Sequence, residues 1–98
     1  MAAGNTEELG QNREELMLLR LNYAKLLTKA GLLTKAREQI DDKVLSEAEL
    51  PELIKAKALY ISGKLGFFEN SYARSIRNYE SCIDLLKSRE DQMRAQDK

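Results

Sequence analysis

The chain has 98 residues, with 16 Lys+Arg balanced by 16 Asp+Glu, one Cys, one Pro and neither His nor Trp. That length predicts one domain with a modest core, and 33% charged against 43% hydrophobic residues is the balance of a folded chain. Zinc sites of the Cys/His kind, disulfide scaffolds and His-dependent triads are excluded; zero net charge argues against general polyanion binding. No apolar run approaches the roughly 18 residues that would suggest a membrane span, so no membrane insertion is expected. The N-terminus has no basic segment leading into an apolar core, which predicts no secretory leader. One unpaired Cys fits a reducing compartment, cytosol or nucleus.

Met1 to Thr6 are small and polar, and a flexible tail is expected over residues 1–6. Regular spacing then begins. Leu16, Leu19, Tyr23, Leu26, Leu27 and Ala30 recur at steps of three and four, one face of a helix, while Leu18 and Leu21 load a second face. A helix apolar on two faces expects neighbours on two sides, as in a stacked array. Gly31 stops it, because glycine takes the left-handed conformation that closes a helix.

A second helix carries Leu33, Ala36, Ile40 and Val44. Ser46-Glu47-Ala48-Glu49 then has capping-box spacing, and Pro51 suits a first helical turn, so the next helix starts at one of these two places. That third helix has Ile54, Ala58, Ile61 and Leu65 on one face and Leu53, Ala56 and Tyr60 on the next. Gly63 inside it implies close approach of another backbone. Gly66 to Ser71 reads as a turn with Asn70 or Ser71 as cap, and the fourth helix shows Tyr72, Ile76, Tyr79, Ile83 and Leu86. Residues 89–98 read as a polar, frayed helix end. No period-two alternation or hairpin dipeptide appears. The expectation is all-α: one helical domain over 7–88, as two antiparallel hairpins at about 7–45 and 51–88.

Shifting the chain by 39 residues aligns Ala24 with Gly63, Leu26 with Leu65, Gly31 with Asn70, Leu33 with Tyr72, Ala36 with Ser75, Ile40 with Tyr79 and Val44 with Ile83. Small meets small and apolar meets apolar, in one order and at one spacing. This pattern resembles the tetratricopeptide repeat, in which small residues let two helices of a hairpin approach and large ones fill the groove between hairpins. The resemblance covers roughly residues 17–86; it departs in period, 39 residues where the family has about 34. Arg20 and Leu59 stand where an aromatic is usual, and Ser75 where Ala is. The extra length falls most simply in the connection at Ser46 to Glu52. A four-helix bundle is the alternative, since any helix hairpin needs caps and small crossing residues. Ser71 to Leu86 is also similar to the last hairpin of microtubule-interacting-and-trafficking domains, three-helix bundles that bind short amphipathic motifs.

No enzyme is expected. Cys82 has no His to activate it and reads as a small core residue. Glu14-Glu15 and Asp41-Asp42 are helix neighbours about 100° apart, which does not make a paired acid/base site. No phosphate loop, nucleophile elbow or calcium-loop spacing appears, so no catalytic, cofactor or metal residues are assigned. The four tyrosines sit at helical spacing and read as interhelix packing.

The repeat resemblance implies that the first helix of each hairpin lines a groove. Its ligand-facing positions fall on Leu18, Leu21, Lys25 and Thr28, and on Lys57, Tyr60, Lys64 and Phe67. Lys55, Lys57, Lys64, Arg74 and Arg77 are opposed only by Glu69 as far as Asn78, which reads first as a scattered solvated face and second as a preference for an acidic peptide. The expected function is a non-catalytic adaptor holding a peptide or partner helix. The alternative is a structural subunit that forms a homodimer or larger complex, because two hairpins leave apolar faces that need a neighbour.

Overall fold

A computed structural model describes residues 6–96. They form four helices in chain order, α1 Thr6–Lys29, α2 starting at Leu33, α3 Glu52–Phe68 and α4 Tyr72–Gln96, and no strand among the described residues. The all-α, two-hairpin expectation is met. Of the tail expected at 1–6, Thr6 already begins α1 and the rest lies outside the described residues, as do residues 97 and 98.

Both hairpins are closed by the same device. Leu32 N–H bonds Leu27 C=O at 2.9 Å and Gly31 N–H bonds Thr28 C=O at 3.1 Å; 39 residues on, Ser71 N–H bonds Gly66 C=O at 2.8 Å and Asn70 N–H bonds Phe67 C=O at 3.1 Å. This pair of bonds needs a left-handed residue just past the helix. Gly31 (φ 82°) and Asn70 (φ 62°) supply it, so Asn70 closes α3. The turn is shorter than expected: Gly66, Phe67 and Phe68 are the end of α3.

The middle of the chain is less regular. α2 is α-helical only over Leu33–Arg37 and widens into a π-helical turn at Glu38–Asp42, where Leu45 N–H reaches back to Ile40 C=O at 2.8 Å. Ala36, Ile40 and Val44 are nonetheless all sealed from solvent. Ser46 does not cap a following helix: its hydroxyl donates back to Asp42 C=O at 2.6 Å, and α3 starts behind Pro51. Pro51 stands just outside the helix with extended ψ (142°), and its carbonyl takes Lys55 N–H at 2.9 Å.

The helices stack in chain order. α1 packs on α2 and α3, α2 packs on α1 and α3, and α4 packs on α3 while reaching the α2 region through the Arg74–Asp41 pair. The resulting slab measures 44 × 43 × 20 Å, about two helix diameters thick. Its core joins Met17, Leu21, Ala24 and Leu27 of α1, Ala36, Ile40 and Val44 of the α2 region, and Ile54, Ala58, Ile61 and Leu65 of α3. The α1 stripe of Leu16, Leu19, Tyr23 and Leu26, which carries the regular spacing, faces solvent instead. The core face is the neighbouring one, containing Met17 and Leu21. Both faces are apolar, and α3 covers only one of them.

Candidate partner-binding grooves

α3 is held against α4 by small residues. Ser75 donates to Gly63 C=O at 2.6 Å, and Cys82 donates to Ala56 C=O at 3.2 Å. A Cβ on Gly66 would lie 3.3 Å from the Ser75 backbone, so this glycine marks the close backbone approach. Gly63 lies under the Tyr79 ring, with a Cβ there only 3.0 Å from the ring edge. The expected approach of a backbone at Gly63 is thus an approach of a side chain, and the backbone contact lies one turn later.

On one side of this seam the two helices diverge into an open apolar groove of about 600 Å³, lined by Leu53, Ala56, Lys57, Tyr60, Tyr79, Cys82, Ile83 and Leu86. Ile83 is 62% exposed, and Leu53, Tyr60 and Leu86 are exposed as well. Tyr60 and Tyr79 face each other with ring centres 6.0 Å apart. Lys64 lies over the Tyr60 ring at 5.0 Å, and among the described residues no carboxylate pairs with it or with Lys57. Burial pushes the Cys82 thiol above its ordinary pKa, so the one soft nucleophile is a neutral wall of the groove.

A smaller cavity of about 170 Å³ separates α1 from α3, ringed by Lys25, Lys29 and Lys64 around Thr28, Ile61 and Phe68. α3 is therefore the common wall of two depressions, and its outer edge is basic.

The expected ligand-facing residues divide between these places. Lys57 and Tyr60 line the α3/α4 groove, and Lys25, Thr28 and Lys64 line the α1/α3 cavity. Thr28 is nonetheless buried, its hydroxyl donating to Ala24 C=O at 2.8 Å. Leu21 is a correction: at 2% exposure it belongs to the core and offers a partner no surface. Leu18 packs, half-buried, against the same core. Phe67 is exposed but turns away, edge-on to Phe68 and Tyr72. The cation-rich stretch does not form one patch. Arg74 pairs with Asp41 at 2.8 Å, and Lys55 lies with Asp84 on the opposite side of the α3/α4 pair from Lys57.

Sequence reasoning assigned only Lys57 and Tyr60 of this groove to a site; it left Leu53, Ala56, Tyr79, Cys82, Ile83 and Leu86 unassigned, the α4 members among them only as apolar surface in need of a neighbour. The signal was in the 39-residue shift. It carries Met17, Leu21, Ile40 and Val44 onto Ala56, Tyr60, Tyr79 and Ile83, so the residues that α3 covers in the first hairpin recur as groove lining in the second. It also missed a polar clamp. Arg37 of α2 donates to Ser62 Oγ at 2.6 Å and pairs with Glu69, while Asn78 of α4 donates to the same Ser62 oxygen at 2.8 Å. Three helices are pinned at one serine.

No family model matches this chain, and neither a curated protein nor a solved structure is found to match it. Among the described residues no helix is long and apolar enough to cross a membrane.

Proposed function

We propose that the protein is a non-catalytic interaction adaptor that holds a partner helix in the α3/α4 groove. One observation carries this reading: an open apolar groove of about 600 Å³ sits where the equivalent face of the first hairpin is filled by a helix, α3. Burial of apolar surface is the main favourable term in association, and a groove between two helices accepts the apolar stripe of a third. Lys57 and Lys64, without carboxylate partners among the described residues, favour an occupant with acidic flanks. The raised thiol pKa of Cys82 supports binding over chemistry at this place.

The test is fluorescence anisotropy with a labelled synthetic helix. Its apolar residues take the spacing of Ile54, Ala58, Ile61 and Leu65, and its remaining positions are mostly acidic. Binding should weaken at least about tenfold in Ile83→Glu, the order expected for a charge placed in a desolvated contact. It should weaken less in the double variant Lys57→Glu, Lys64→Glu, and a basic-flanked version of the helix should bind more weakly. Affinity indifferent to Ile83→Glu would place the site elsewhere.

A further inference from the structure

Among the described residues the stack has two uncovered faces. One is the α3/α4 groove; the other is the exposed α1 stripe of Leu16, Leu19, Tyr23 and Leu26, between 42% and 64% accessible. We propose that these faces fit each other, so that α1 of a second copy enters the groove and copies associate head to tail. This rests on the groove reading above and names its occupant; α1 balances Glu7, Glu8, Glu14 and Glu15 with Arg13, Arg20, Lys25 and Lys29, so it meets the acidic preference of Lys57 locally, at Glu15, and not by its overall charge.

The chain contains its own template for the contact, because the second hairpin already sits on the first. Adding 39 to each residue of the first hairpin, and subtracting 39 from each residue of the second, converts the internal interface into the intermolecular one. The exchanges compensate. In the internal interface Arg37 donates to Ser62 at 2.6 Å; translated, this becomes Ile76 against the second copy's Tyr23. A polar pair is replaced by an apolar pair, and both residues are exposed in the single chain. Arg74 pairs with Asp41 at 2.8 Å; translated, this becomes the second copy's Lys35 against Glu80, with the signs kept. Neither Lys35 nor Glu80 has an ion-pair partner among the described residues.

Two positions of the core cluster change size in opposite senses. Met17 becomes the smaller Ala56, while Ala58 becomes the larger Leu19 of the second copy. Leu18 and Ile54, of one apolar cluster, become Lys57 and the second copy's Glu15, a base and an acid. Asn22 replaces Ile61 on the incoming helix, and the wall it enters has Tyr60 and Tyr79 in place of Leu21 and Ile40, bringing hydroxyls where hydrogen bonds are now needed.

A head-to-tail contact joins two different surfaces and leaves one of each free, so association does not close at the dimer. The experiment is light scattering on the full chain over a hundredfold range of concentration. The weight-average mass should rise without a plateau at two copies. Leu19→Glu and Ile83→Glu, both at well-exposed positions, should each be monomeric alone, with helicity unchanged and melting that no longer rises with concentration. Mixed in equal amounts they should form a dimer and nothing longer, since each blocks a different face. Glu80→Lys should weaken association about two- to fivefold, the range of an exposed ion pair, and adding Lys35→Glu in the same chain should restore it.

A wild-type chain that stays monomeric throughout, or two single variants that fail to pair when mixed, would overturn head-to-tail association. If that monomer still binds the acidic helix through Ile83, the groove reading stands and only its occupant is wrong. If it binds neither, both fail.

Discussion

The two hairpins present the same face to different fates. In the first, Met17, Leu21, Ile40 and Val44 are sealed under α3, at 6% exposure or less. In the second, the counterparts Tyr60 and Ile83 stand open at 47% and 62%. Their residue types are similarly apolar, and the two connecting turns share their hydrogen bonds. What differs is coverage: α3 lies over the first face, and among the described residues no helix lies over the second. The second hairpin answers this by changing its side chains: two tyrosines and a lysine take places held by Leu21, Ile40 and Leu18, giving a surface that water tolerates and a helix can still cover.

Substitutions that act on one face and spare its counterpart sharpen this contrast. The largest effect belongs to Ile40→Ala in the sealed interface, which should cost about 2–5 kcal/mol in urea unfolding through lost transfer energy and the cavity left behind. A cost below about 1 kcal/mol would mean that α3 is not firmly seated on the first hairpin. Next is Arg37→Ala, which leaves Glu69 and Ser62 without their main donor and should cost about 1–3 kcal/mol. Hydrogen exchange in that variant should quicken in α3 and α4 more than in α1, because the clamp ties the second hairpin to the first.

Gly31→Ala forces a Cβ into the left-handed region and should cost about 1–2 kcal/mol. Asn70→Gly at the equivalent turn should instead stabilise by a few tenths of a kcal/mol, which tests whether the two closures are alike. The smallest effect is expected from Ile83→Ala, within about 0.5 kcal/mol of wild type, since the side chain is largely in water. A large loss there would show that the groove side is part of the folded core and not a surface awaiting a partner.

Cys82 reports on the same groove without mutation. With its thiol raised above the ordinary range by burial, the reactive thiolate is scarcer near neutral pH than in free cysteine. Alkylation should therefore be slow at pH 7–8 and quicken as pH climbs toward the raised value. A helix bound in the groove should slow it further, whereas denaturant should release it; alkylation as fast as that of free cysteine in the native protein would contradict the burial.

Local chemistry made much of this molecule legible from its residues. Step-of-three-and-four spacing located all four helices, and the core face of α3, Ile54, Ala58, Ile61 and Leu65, was identified residue by residue. Gly31 was recognised as a helix stop, since a left-handed residue is demanded by the turn itself. The choice between Ser46 and Pro51 stayed open because both are sound local signals; Pro51 prevails because Ser46 spends its hydroxyl on Asp42 C=O.

The candidate site was legible only in part. Lys57, Tyr60, Lys25 and Lys64 do lie at depressions flanking α3, but Leu21 does not, and Tyr79 and Ile83 were read as apolar surface of a hairpin that needs a neighbour, without being placed in a groove. The reason is physical. Hydrophobic periodicity says that a helix face is apolar and is silent on what lies across from it. On α1 the sequence determined two apolar faces, and the position of α3 decided that Met17 and Leu21 are core while Leu19 and Leu26 are surface. Periodicity and turn chemistry are properties of a few consecutive residues, so the sequence carries them alone. Coverage is a property of neighbours distant in the chain, and only the tertiary stack determines which face is core and which remains to be filled.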